Sequence, residues 1–349
     1  MTAQKGTGMR DLQPIIEKAK QVIASHKLET GAYARWIWPD ASGRRLGINE
    51  YGCADAANNL YMIGEFPADA AERAEWVRHL QEFQHEDDGL FVEGTHHPFH
   101  TTAHCIAALE LFEAKAKYPL KAMEPYLDHE KLWELLDGLE WKENPWTASH
   151  QGAGIYAAMV LQGEADLDWQ DAYFGWLWDN FDPESGFLRK GCVEPILHAD
   201  SFAAPLLKPS VFPHLASTFH YTFNHEYAHR PLPYPEKMID TCIRIYRNRE
   251  WPALGHAVSF AEIDWVYCLT RSLRQCGYRY QEAKQALRDF AAEYLDYLDS
   301  LDAKTDEGLN DMHRLFGSIC ALAELQAALP GELRSDKPLK LVLDRRPFI

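Results

Sequence analysis

The sequence predicts an all-α protein folded as an (α/α)6 toroid, six helical hairpins arranged in an inner and an outer ring. Three observations carry that prediction. Twelve segments place apolar residues at helical spacing, and no stretch alternates convincingly as a strand does. In most consecutive pairs the second segment is the more apolar and the richer in small residues, as a buried helix is, while the first is amphipathic. The third is a recurring turn. Phe83-Gln84-His85-Glu86-Asp87-Asp88-Gly89-Leu90-Phe91 aligns with Phe181-Asp182-Pro183-Glu184-Ser185-Gly186-Phe187-Leu188 and with Asp302-Ala303-Lys304-Thr305-Asp306-Glu307-Gly308-Leu309. Each copy sits between the two helices of a pair, in pairs two, four and six, and repetition at a fixed place marks a repeat architecture.

The helices follow in order. Residues 11–26 are amphipathic, with Pro14 tolerated in the first turn. Residues 53–63 are rich in alanine and asparagine and end at Gly64 and Pro67. Residues 69–84 put Trp76, Val77, Leu80 and Phe83 on one face, and 101–114 are strongly apolar. Then come a short helix at 130–136, an apolar one at 149–161 and an amphipathic one at 168–180. Segments 214–229, 237–247, 259–275, 281–301 and 311–329 complete the six pairs. The whole chain, 1–349, reads as one toroid domain.

Composition excludes several function classes. The 349 residues carry a formal net charge of -17, which opposes nucleic-acid and anionic-membrane partners because both reward a basic face. No run approaches the length of apolar residues that a membrane span needs, and Met1 to Arg10 lacks the apolar core of a signal peptide. Seven cysteines, none in a Cys-x-x-Cys pair, read as reduced and mostly buried thiols, which points to a cytoplasmic protein.

Gly89-Leu90-Phe91, His100-Thr101-Thr102-Ala103 and Ala107-Ala108-Leu109-Glu110-Leu111 together resemble the repeat of the α/α toroids. These include the terpenoid cyclases, the protein prenyltransferase β-subunits and the six-hairpin glycosidases. The resemblance covers most of the chain as architecture. Glu86-Asp87-Asp88 is not the Asp-x-Asp-Asp acid of the squalene-type cyclases.

Loop lengths locate the working face. The connections into the inner helices are long, around 27–52, 86–100, 137–148 and 181–213, while 64–68, 162–167 and 276–280 are short and 115–129 is the exception. That face holds the N-termini of the inner helices, which favour polar or anionic ligands. Asp264, Asp88, Asp55, His100 and His150 are the candidate catalytic groups. Trp36, Trp38, His96, His97, Trp146, Gln151, His220, Glu262, Trp265, Asp311, His313 and Arg314 are the candidate substrate-binding groups. Glycosidic cleavage takes two carboxylates flanking the bond, and Asp264 with Asp88 or Asp55 is the preferred pair. Tryptophans 36, 38, 146 and 251 offer faces for sugar stacking, or else plug the top of the ring. Asp55, Thr101, Ser149, Asn310 and Asp311 also have a plain reading as helix caps.

The function expected is a glycoside hydrolase acting on an oligosaccharide, acidic ones included, without a cofactor or bound metal. Elimination from a uronate by His or Tyr is the near alternative. A prenyl-binding or cyclase-like cavity and a non-catalytic binding scaffold are the others. His100 and His104, four apart on one helix, could chelate a metal. His225-Glu226-Tyr227-Ala228-His229 matches the zinc-protease pattern, but Pro231, Pro233 and Pro235 break the helix at once and the motif is set aside.

Overall fold

Twelve of the helices in the computed structural model fall where apolar periodicity puts them. The structure describes residues 9–40, 44–197 and 208–349. Helix α1 spans Gln13–His26, α2 Glu50–Met62, α3 Ala70–Glu82 and α4 Pro98–Leu111. Then come α5 His129–Asp137, α6 Pro145–Gln162, α7 Leu167–Asn180 and α8 Phe212–Tyr227. The chain continues through α9 Pro235–Arg247, α10 Ala261–Gln275, α11 Tyr280–Ser300 and α12 Met312–Ala328, with a short α13 at Val342–Arg345. Strand content among the described residues is slight. Arg10–Asp11 (β1) pairs in parallel with Leu333–Arg334 (β4), and Lys27–Glu29 (β2) pairs with Ala32–Tyr33 (β3).

Several starts are set by side-chain caps that satisfy the free N–H groups of a first turn. Asn49 accepts from Tyr51 N and Gly52 N, and Asp69, Asp128 and Asp166 accept from Glu72, Lys131 and Trp169. Asn49 begins α2 three residues earlier than the alanine-rich run suggests. Likewise α6 begins at Pro145, so the connection into it is only residues 138–144 and Trp146, Ser149 and His150 lie inside the helix.

The even-numbered helices pack in a cyclic order: α2 on α4, α4 on α6, α6 on α8, α8 on α10, α10 on α12 and α12 on α2. They are buried on nearly all sides, and α8 has no exposed residue from Phe212 to His225. The odd-numbered helices bury one stripe each; α9 buries Met238, Ile239, Cys242, Ile243 and Tyr246 and turns its charged residues outward. Close approach is built from small residues. A Cβ on Gly154 of α6 would lie 2.8 Å from the Phe99 carbonyl oxygen of α4, so only hydrogen fits there.

Two copies of the recurring turn are built alike. His85 N donates to Leu90 O and Gly89 N to His85 O; Asp182 N donates to Phe187 O and Gly186 N to Asp182 O. Phe91 N then donates to Thr102 Oγ1 and Leu188 N to Thr218 Oγ1, both at 2.9 Å, which ties each turn to the helix after it. Gly89 and Gly186 take φ of 79° and 77°. The third copy departs from this: its turn is held by Asp306 Oδ1 accepting from Gly308 N and Leu309 N, and Gly308 is not left-handed. No helix of the described residues is long and apolar enough to cross a membrane.

Candidate functional site

The N-terminal halves of α2, α4, α6 and α12, with the middle of α8, bring six imidazoles into one cluster. His96 precedes α4, and His100 and His104 lie one turn apart on it. His150 comes from α6, His220 from α8 and His313 from the first turn of α12. Tyr51, on the first turn of α2, sits among them. Its ring stacks on His96 at 4.7 Å and on His104 at 4.9 Å between centroids. Its hydroxyl is 2.6 Å from His100 Nδ1.

Asp55 is the carboxylate at the heart of the cluster and is fully buried. Its Oδ1 accepts from His104 Nε2 at 2.7 Å, and His313 Nδ1 reaches its Oδ2 at 3.1 Å. Burial pushes the Asp55 carboxyl up, and the facing His313 pulls it back. Burial also holds the imidazoles neutral, helped by their neighbours. His100 and His150 are pushed well below the usual range by burial and then by each other's company or that of His220. His220 is pushed to about 3 by burial, and His313 to about 4 although Asp55 opposes the shift. A neutral imidazole has one donor and one lone pair, so which nitrogen is engaged decides what the ring can do.

A buried ion pair closes the cluster at one side. Arg35 Nε donates to Asp311 Oδ1 at 3.0 Å and Arg35 Nη1 to Thr95 Oγ1 at 2.8 Å, with the guanidinium 4.9 Å from the centre of the Tyr51 ring. Burial would raise the Asp311 carboxyl, but Arg35 holds it at about 2. Asp311 also caps α12 by accepting from His313 N. On another side the chain after α13 enters the middle of the helices. Pro347 O accepts from Asn224 Nδ2 at 3.1 Å, Arg346 donates to Asn58 Oδ1, and the Phe348 ring lies 4.8 Å from that of His100.

The structure brings Asp55, His96, His100, His150, His220 and His313 together. Other candidates lie elsewhere. Asp88 accepts from Leu90 N in its own turn, and its carbonyl accepts from Ala122 N in the connection before α5; neither contact reaches the cluster. Glu262 accepts from Gly255 N and Ser259 Oγ, so it braces the loop before α10, and burial pushes its carboxyl up to about 7. Asp264 is sealed, with neither carboxylate oxygen bonded, and burial with Glu262 beside it pushes its carboxyl well up. Trp265 faces α9 and α11, donating to Cys242 O and packing on Phe290. His97 caps α4 by accepting from Phe99 N. Gln151 is half-buried beside His150, and Arg314 reaches toward Asp311 at 3.9 Å.

Of the tryptophans that the sequence puts in loops, three are packed rather than presented, and Trp146 lies in α6. Trp36 lies under the Arg35 guanidinium at 4.3 Å, and Trp251 stacks on Phe212 at 4.3 Å. Trp146 packs edge-on to Trp251, and half-buried Trp38 donates to Glu307. His225 and His229 cannot form a zinc-protease pair, because α8 ends at Tyr227 and His229 turns into the left-handed region at φ 54°. Glu226 of that motif pairs with Arg271 instead. Tyr51, Arg35 and Phe348 escape sequence reasoning. Asn49 was the available signal for Tyr51, since a cap there puts Tyr51 in the first turn. Compared with known proteins, the chain matches no family model, no curated protein and no solved structure.

Proposed function

We propose that this chain is a carbohydrate-active enzyme built on an (α/α)6 toroid, with the even-numbered helices as the inner ring and the odd-numbered as the outer. The cyclic packing from α2 round to α12 and back supports that architecture. We infer further that proton transfer is done by imidazole, with Asp55 in an orienting role. The observation that carries this is the contact of Asp55 with His313 Nδ1 at 3.1 Å. An ionised carboxylate there keeps the His313 proton on Nδ1 and leaves Nε2 with a lone pair, which is how a general base is oriented.

Elimination from a uronate-containing oligosaccharide is the reaction that this reading favours. The base takes the proton α to the sugar carboxylate, the new carbon–carbon double bond forms, and the glycosidic oxygen leaves and takes up a proton. That step needs one base, whereas hydrolysis needs two carboxylates on either side of the bond. Hydrolysis is the second reading, since Asp55, buried within the cluster, could serve as one of the two carboxylates it needs. The test is incubation of the purified chain with neutral and acidic oligosaccharides, followed by mass spectrometry. Elimination gives fragments whose masses sum to the substrate, with one unsaturated end. Hydrolysis adds one water. No product from any of them rejects the carbohydrate reading.

A further inference from the structure

We propose that His100, His150 and His220 form a binding site for one divalent transition-metal ion of the zinc type. This inference stands on the three rings and does not depend on the carbohydrate reading. Each ring offers a nitrogen, and these nitrogens all lie within 4.8 Å of one another although the residues come from three successive packed helices, α4, α6 and α8.

Hydrogen bonding says which atoms face inward. Ser149 Oγ spends its one proton on the Trp146 carbonyl and lies 2.9 Å from His220 Nδ1. It must therefore accept from His220, which leaves the lone pair of that ring on Nε2. His100 Nδ1 is engaged by the Tyr51 hydroxyl, so its Nε2 is again the inward atom. His150 Nδ1 is buried without a hydrogen-bond partner, and none of the three rings bonds to another. Neutral imidazoles whose far nitrogen is held by a hydroxyl are oriented as metal ligands are.

The second convergent group, Asp55 with His104 and His313, differs in kind. The atoms that face one another there, His104 Nε2, His313 Nδ1 and the Asp55 oxygens, are already bonded among themselves. The three-histidine group has no such internal satisfaction. An all-nitrogen set selects zinc, cobalt, nickel or copper over magnesium or calcium. Three protein ligands leave a fourth position for water or a ligand, the pattern of an open zinc site, with the ion about 2.0–2.1 Å from each nitrogen. His100 and His104 thus belong to two different groups and do not chelate together.

The experiment loads the full chain, stripped with chelator, with cobalt(II) and follows visible absorption and bound metal by elemental analysis. One equivalent with a d–d spectrum is expected, displaced by zinc. His220→Ala and His150→Gln should each weaken binding by more than about 100-fold, beyond the loss that removing an outer-shell partner causes. Asp55→Asn and His225→Ala should keep one equivalent. His150→Gln, at a half-buried position, serves where His220→Ala does not fold, with circular dichroism as the check. Failure of the folded wild-type chain to bind either metal stoichiometrically overturns the proposal. So does binding that survives both histidine substitutions, or that Asp55→Asn abolishes while His150→Gln leaves it intact.

Discussion

Arg35 grips Asp311 at two points across 276 positions of sequence, Nε to Oδ1 at 3.0 Å and Nη2 to Oδ2 at 3.3 Å. The pair joins the segment between α1 and α2 to the cap of α12. Met312 N donating to Arg35 O and Ile37 N to Asn310 Oδ1 run beside it. Both charges are buried: Arg35 is compensated by Asp311, Glu93 and Thr95, and Asp311 by Arg35 together with His313 N and, at 3.9 Å, Arg314. Arg35→Met should leave Asp311 buried without its main partner and lower stability by about 3–5 kcal/mol. Urea unfolding measures it, and a loss under about 1 kcal/mol would show that the closure is held elsewhere.

Gly154 sets the distance between α6 and α4. Alanine favours a helix by about 1 kcal/mol over glycine. Here its Cβ would meet backbone atoms, Phe99 O at 2.8 Å and Phe99 C at 3.0 Å, which no side-chain movement relieves. Gly154→Ala should therefore lose about 1–3 kcal/mol despite the propensity gain. It should also displace His100, the next residue along α4. A thermal melt that rises instead would contradict the packing.

Glu262 gives a pH dependence with a definite sign. Its folded carboxyl is held up at about 7 by burial, against an ordinary 4.5, although Ser259 and Gly255 oppose the shift. The folded state binds this proton more tightly than the unfolded state does. Its contribution is therefore fully present below pH 4.5 and is lost as the pH rises through about 7. Glu262→Gln keeps the neutral form. Between pH 5 and pH 8 the variant should lose less stability than the wild type does, by an amount on the order of 3 kcal/mol. Parallel stability curves for the two proteins would refute the shift.

Asp55→Asn removes the charge that two imidazole N–H groups face. Hydrogen bonds to charged groups contribute about 1.5–3 kcal/mol each. The amide keeps the shape and one acceptor, so a loss of about 2–4 kcal/mol is expected. Asp55→Ala should cost more, because it leaves His104 and His313 with buried, unpaired donors. Equal losses in the two variants would argue against the hydrogen-bond account.

The helices are legible in the sequence because burial follows periodicity. Residues such as Ile15, Ile16, Ala19 and Val22 of α1 reveal their face without reference to anything else. The repeating turn is legible too, since Gly89 and Gly186 must take positive φ in copies with the same hydrogen bonds. The site is legible only in part. His100, His150, His220 and His313 stand out as polar groups on apolar helices, but their partners depend on which helices become neighbours. Asp88 is prominent in the sequence for a local reason, its bond to Leu90 N, and that same local role keeps it out of the cluster. Trp265 is on a nearly fully buried helix, and only the packing of α9 and α11 decides that it points outward. The tail at Arg346 to Phe348 has no periodicity, and its place among the helices comes from long-range contacts to Asn58 and Asn224.

The central claim is that a histidine held by Asp55 transfers the proton. Its most direct measurement is product formation from uronate-containing oligosaccharides by wild type and by folded His313→Ala, at matched protein concentration. The account predicts unsaturated product from the wild type and a rate lower by about 10²–10⁴-fold in the variant. Product from His313→Ala at the wild-type rate would contradict it.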